Sequence, residues 1–270
     1  MKPALLTAVA VAIAASACST TTTTAGTPTP TTAESGPPIA EQRWAALPER
    51  PVPDSSLRVD QQGRQYGAAP YPGVQIVQSL GGADIERCTA GPLVEDRTGT
   101  RGFLTAGHCD VKPGAPVSTF RSPAATAADL APAGTYAGSI QDPDLDATFL
   151  GLAPGVEPDP AATMIANRWP VARLMSMDEA RQLAPGTTIC IDAAHAGVRC
   201  GELLAALGSS IRAEIPGGER GDSGGAMFLV SEDGAASIVG IVQMVGNGVV
   251  EATFAEPAMQ RLGLSLIPQR

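Results

Sequence analysis

The chain is predicted to be all-β, built from short antiparallel strands, and three observations predict it. Between residues 71 and 255, short runs rich in Val, Ile, Leu and Thr recur with strand-like patterning. Between them fall glycine and proline, 30 and 24 of them in 270 residues, the residue types that end strands and set turns. Closely spaced short strands with such breaks fit antiparallel sheets better than long helices.

The candidate strands follow in order. VQIVQSL at 74–80 opens the compact region, and CTAGPLV at 88–94 follows it. GFLTAGH at 102–108 ends a further strand in a turn, and 116–120, 134–140 and 147–152 complete the first half. APGVEPDP, around 154–160, reads as a connection between halves. The second half offers 164–165, 171–174, 187–191, 198–204, 209–215, 226–230, 237–245 and 249–254, and EPAMQRLGLSL at 256–266 is expected to be a short terminal helix. Such a chain is long enough to bury one core or two fused ones.

The segment before this region has another character. Lys2, the apolar run 4–15 and Ser16-Ala17-Cys18 read as an export signal, too short for a retained membrane span. Ala15-Ser16-Ala17-Cys18 also resembles a bacterial lipoprotein signal, which makes Cys18 a candidate lipidation site and a membrane tether, with ordinary secretion as the alternative. Residues 19–69, Thr/Pro-rich at first, read as a tether or proregion with little apolar surface to offset ordering entropy. Trp44 and Leu47 are expected to pack incidentally on the domain, which occupies 70–270. A net charge of -9 and the lack of a basic patch interleaved with aromatics argue against a nucleic-acid partner. Setting Cys18 aside leaves Cys88, Cys109, Cys190 and Cys200, an even number open to three pairings. Their spacing and two histidines make a poor zinc site, and no metal or other cofactor is expected.

Residues 217–230 read GGERGDSGGAMFLV. Ser223 stands between an acid and two glycines, which suits a bent loop holding a hydroxyl in place, with Gly221 free to turn its N–H toward a substrate oxygen. An exposed turn would have the same composition. FLTAGHC at 103–109 and DLDATFL at 144–150 separate the two readings, because His108, Asp146 and Ser223 then supply a base, an orienter and a nucleophile. Asp142 and Asp144 compete with Asp146 for the second role. TAGHC, then Asp-Ala-Thr-Phe, then GDSGG, resembles the trypsin/chymotrypsin superfamily of serine proteases, most closely its secreted bacterial streptogrisin and α-lytic-like members, over about residues 71–255.

The resemblance implies two antiparallel six-stranded β-barrels, about 70–155 and 156–270, with the active site in the crevice between them. It implies Ser223 as nucleophile, His108 as general base and acid, and Asp146 as orienter, with the N–H groups of Gly221 and Ser223 as oxyanion hole. Asp222 would support the loop through an ion pair, with Arg199 or Arg220 as the cation. It favours the disulfides Cys88–Cys109 and Cys190–Cys200. His195, outside the matched motifs, is expected to be a loop residue. Ile191 stands where relatives often carry an arginine linked to the catalytic loop. The substrate cleft would include Gly217, Gln243, Met244 and Val245. Gln243 stands in place of a common serine, Val245 in place of a pocket-opening glycine, and Gly217 supplies no acidic anchor for Lys or Arg. The implied function is an extracellular serine endopeptidase, expected as a monomer acting on peptide or protein, secreted or held on the outer face of a bacterial membrane. The alternative is an inactive protease-like binding or cell-envelope structural protein with an obstructed groove.

Overall fold

A computed structural model describes residues 43–45, 66–81, 84–122 and 124–269. The expected export signal, Cys18, Leu47 and most of the expected tether lie outside the described residues. Within 37–270, a single compact unit, the structure is two strand systems with few helices.

The first is formed by β1 (Gln75–Gly81), β2 (Asp84–Thr89), β3 (Leu93–Asp96), β4 (Arg101–Thr105), β5 (Pro116–Phe120), β6 (Leu130–Gln141) and β7 (Asp146–Leu152). Antiparallel pairing runs β3-β4-β7-β6-β5-β1-β2. Residues 90–92 carry β2 directly into β3, and Gly91 N–H to Leu104 O (3.0 Å) with Leu104 N–H to Pro92 O (3.1 Å) close the ring as a six-stranded barrel. Residues 88–94, expected to be one strand, are thus the end of β2, a bend and the start of β3.

The second system holds β8 (Met164–Ile165), β9 (Trp169–Leu174), β10 (Thr188–Ala193), β11 (Gly197–Leu207), β12 (Ser210–Glu214), β13 (Ala226–Val230), β14 (Ala236–Gly246) and β15 (Val249–Phe254). The ring β13-β10-β11-β12-β15-β14 closes through the β13–β14 pairing, and β9 joins β14 in parallel with β8 beyond it. A short α1 (Met177–Ala180) has a capping box from Ser176 and Glu179. After β15 comes α2 (Ala255–Leu262), shorter than the expected 256–266. Gly263, at φ +69°, stops it in the left-handed region, and the chain extends into β16 (Leu264–Leu266), which pairs with β3.

Alternation explains the core. In β13 every residue is buried, which an ordinary half-exposed strand would not show. Met227 and Leu229 point into the core of the second barrel with Ile189, Leu203, Ile211 and Val250. Ala226, Phe228 and Val230 point into a cluster shared by both barrels, with Leu104, Ile140 and Phe149 of the first. The other face of β4 and β7 sends Phe103 and Leu150 into the first barrel beside Val74, Ile76 and Tyr136. Trp44 bridges to Ser231, and Ala45 N–H donates to Val230 O at 2.8 Å.

Candidate active site

His108 sits in a 3-10 turn, Gly107–Cys109, that follows β4. The turn is pressed against β6 and β7: a Cβ on Gly107 would come within 2.0 Å of Ile140 O and 2.9 Å of Ala147 N. The Cys88–Cys109 disulfide ties it to β2, and Gln141 Nε2 donates to Gly107 O at 2.9 Å. Behind it, buried Asp110 accepts from Ser139 Oγ at 2.6 Å and Gln78 Nε2 at 3.3 Å, while Ser139 and Thr148 hydroxyls lie 2.8 Å apart.

Asp146, the first residue of β7, grips His108 twice. Oδ1 accepts the His108 backbone N–H at 2.8 Å and Oδ2 faces Nδ1 at 2.6 Å. The hydrogen bond to Asp146 holds the His108 pKa above its ordinary value, against an opposing effect of burial. Asp142, the competitor, is spent on its own turn, accepting from the N–H groups of Asp144 and Leu145 and pairing with Arg261.

The Ser223 loop is clamped from both barrels. Thr89 N–H donates to Ser223 O at 2.7 Å, Gly224 N–H to Val242 O at 2.7 Å, and Val242 N–H to Gly225 O at 2.9 Å. Gly224 is at φ +92°, and a Cβ there would come 1.9 Å from Thr105 Oγ1, so only glycine permits this approach. Thr105 lies three residues before His108 in the chain. Among the described residues no hydrogen bond joins Ser223 Oγ to His108. In unliganded active sites such bonds are often long and tighten only with substrate. Gly221 is at φ +99° and its carbonyl accepts from Thr89 Oγ1 at 2.8 Å. Among the described residues the N–H groups of Gly221 and Ser223 enter no hydrogen bond.

Fully buried Asp222 is met by three backbone donors, the N–H of His195 and Ala196 at 3.0 Å each and of Glu219 at 2.7 Å. These take the place of the guanidinium expected from Arg199 or Arg220. Burial raises its pKa, and the three N–H bonds oppose that rise. Ile191 lies in the second barrel's core, and Cys190–Cys200 links β10 to β11.

The expected substrate cleft is crowded. Gly218 lies close to Val245, so that a Cβ on it would come 3.0 Å from Val245 Cγ1. Gln243 Nε2 donates to Glu251 Oε1 at 3.2 Å, and Glu251 also pairs with Arg212 at 2.8 Å. Met244 is 57% exposed, on the rim of a recess of about 270 Å³ whose lining includes Val245, Arg212 and Glu251. Sequence reading missed Arg212 and Glu251, which lie on separate strands in no motif. It also placed His195 only in a loop, whereas its ring packs on Gly221.

No protein-family model matches the sequence, and no curated protein matches it. Solved structures do. Thermobifida fusca Protease A is 23% identical, with a TM-score of 0.54 over 74% of this chain and 100% of its own. Cellulomonas bogoriensis chymotrypsin is 26% identical, with a TM-score of 0.51 over 74% and 98%. Nocardiopsis protease is 21% identical, with a TM-score of 0.51 over 73% and 97%. In its fold the chain is similar to these bacterial chymotrypsin-like serine proteases.

Proposed function

We propose that the chain is an exported serine endopeptidase that hydrolyses peptide bonds through an acyl-enzyme on Ser223. The observation that carries this reading is the two-point grip of Asp146 on His108 beside a Ser223 loop clamped from both barrels. With its Nδ1 proton directed at Asp146, neutral His108 offers the Nε2 lone pair. Nε2 takes the Ser223 proton as Oγ bonds to the scissile carbonyl carbon, and the carbonyl oxygen becomes an anion facing the N–H groups of Gly221 and Ser223. Collapse breaks the C–N bond, and His108 returns the proton to the leaving amine. Water then repeats the sequence, releasing the acid and restoring Ser223. The chemistry needs no cofactor. Export accords with the apolar segment at 4–15, with Cys18 as lipid attachment point or lost on secretion, and with two disulfides, which persist in oxidising compartments.

Contact between Val245 and Gly218 favours a preference for small apolar side chains at the scissile residue, and it also supports the second reading, an inactive protease-like binding or envelope protein. The full chain and its Ser223→Ala variant, exported from a bacterial host, should be treated with a fluorophosphonate before and after limited proteolysis ahead of residue 66. A Ser223 adduct, absent in the variant, is expected. A folded protein without adduct in either state overturns the enzyme reading and leaves the binding one. Peptide-library digestion then reads specificity, and efficient cleavage only after Lys or Arg would refute the small-residue preference.

A further inference from the structure

We infer that His195 is a positioning residue for the oxyanion donor, holding Gly221 through a contact that Gln75 locks from the other barrel. The inference rests on the reading of Gly221 as an oxyanion-hole donor. A Cβ on Gly221 would lie 2.5 Å from His195 Cδ2 and 2.6 Å from Nε2, so the imidazole rests directly on the Gly221 Cα. Gln75, 2% exposed at the start of β1, sets its Nε2 2.6 Å from His195 Nε2. Thr89 Oγ1 accepts the Ala194 N–H at 3.0 Å and donates to Gly221 O at 2.8 Å, and the His195 N–H is tied to Asp222.

These contacts divide the work. Thr89 fixes the peptide group after Gly221, which leaves rotation about φ as the freedom that aims the Gly221 N–H. At φ +99° only glycine is at ease, and glycine by itself restrains that rotation least of all residues. The restraint must come from a neighbour, and the imidazole occupies that place. With Nε2 engaged by Gln75, His195 acts on Gly221 by contact and takes no part as a second base.

The test is a double-mutant cycle of His195→Ala, Gln75→Leu and the pair, with melting curves and intact disulfides confirming the fold. On a peptide substrate each single variant should lower kcat on the order of tenfold to a hundredfold, the cost of a slightly misaimed group. KM should stay within about twofold. The double variant should be no worse than the poorer single one, as for residues acting as a unit. Wild-type kcat in either single variant, or additive losses, overturns the inference. The NMR amide resonance gives a readout without turnover. The Gly221 N–H signal should shift or broaden in His195→Ala, while that of Val242, whose N–H is bonded to Gly225 O, should not change. An unchanged Gly221 overturns the inference whether or not peptide is cleaved. A Gly221 amide that depends on His195 in a protein that neither cleaves nor labels sinks the protease reading, and with it the oxyanion role, and leaves only the restraint of Gly221 by His195.

Discussion

Replacing Asp146 by Asn sets two bonds of one carboxylate against each other. Oδ1 serves the His108 backbone N–H at 2.8 Å and Oδ2 serves Nδ1 at 2.6 Å, so both oxygens act as acceptors. An amide keeps one acceptor. If its oxygen stays on Nδ1–H, its NH2 faces the backbone N–H, and a part-buried donor goes unmet at about 1–3 kcal/mol. If its oxygen takes the backbone N–H, the NH2 faces Nδ1, which must then accept, and the ring proton moves to Nε2. The second arrangement satisfies every group and wins. It also removes the lone pair that would receive the Ser223 proton. A triad in the wrong tautomer loses about 10⁴ in kcat, or about 5 kcal/mol of barrier. Asp146→Asn should therefore lower kcat on the order of 10³–10⁴-fold with KM little changed. The pH profile carries a second signature. Because Asp146 raises the His108 pKa above 6.5, the wild-type acid limb should lie above that value, with kcat/KM rising as His108 deprotonates; the variant limb should move down. The pairing's contribution to stability is complete below the unfolded pKa, near 6.5, and fades as pH rises through the raised folded value. Melting temperatures of the wild type, but not of the variant, should show that fading. A folded Asp146→Asn protein within tenfold of wild-type kcat, or with its acid limb unmoved, would refute the reasoning.

Three further outcomes follow from the packing. Val245→Gly should remove the close contact at Gly218 and shift library cleavage toward larger apolar residues, by about tenfold or more for each methylene pair newly admitted; an unchanged profile would place the specificity determinant elsewhere. Replacing Cys88 and Cys109 together by alanine reopens a loop of sequence separation 21 and should cost about 3 kcal/mol in denaturant melts, with His108 the first titrating group to lose its shifted pKa by NMR. Ser139→Ala strips buried Asp110 of its shortest donor and should cost about 1–3 kcal/mol in melts, with kcat on folded protein nearly unchanged.

The catalytic candidates were legible because each stands in a short local motif, and the strands because alternation is local. What sequence could not supply was local in neither sense. β2 reads DIERCT and is exposed or half-exposed over its first four positions, so apolar patterning is missing at its start. β16 looks like the tail of a helix until Gly263 turns the chain onto β3. His195 and Gly221 are 26 residues apart, Gln75 and His195 are 120, and no spacing rule connects them. The backbone anchorage of Asp222 was hidden because N–H donors carry no sequence signature. A familial ion pair was the natural expectation, and Ile191 was the one residue that argued against it.

β16 matters beyond its three residues. It follows a helix whose Ala255, Ala258 and Met259 sit in the cluster shared by both barrels, it pairs with β3 of the first, and the chain continues so that Ile267 N–H bonds Leu93 O of the first strand system and Gln269 N–H bonds Val171 O of the second. The shared cluster around Phe228 and Leu104 lies under the same seam. Neither barrel can then melt without baring the other's flank, so the pair should behave as one cooperative unit. Calorimetry should record a single transition, and a crevice whose walls cannot come apart independently keeps its reacting groups in register up to the temperature at which the whole molecule fails.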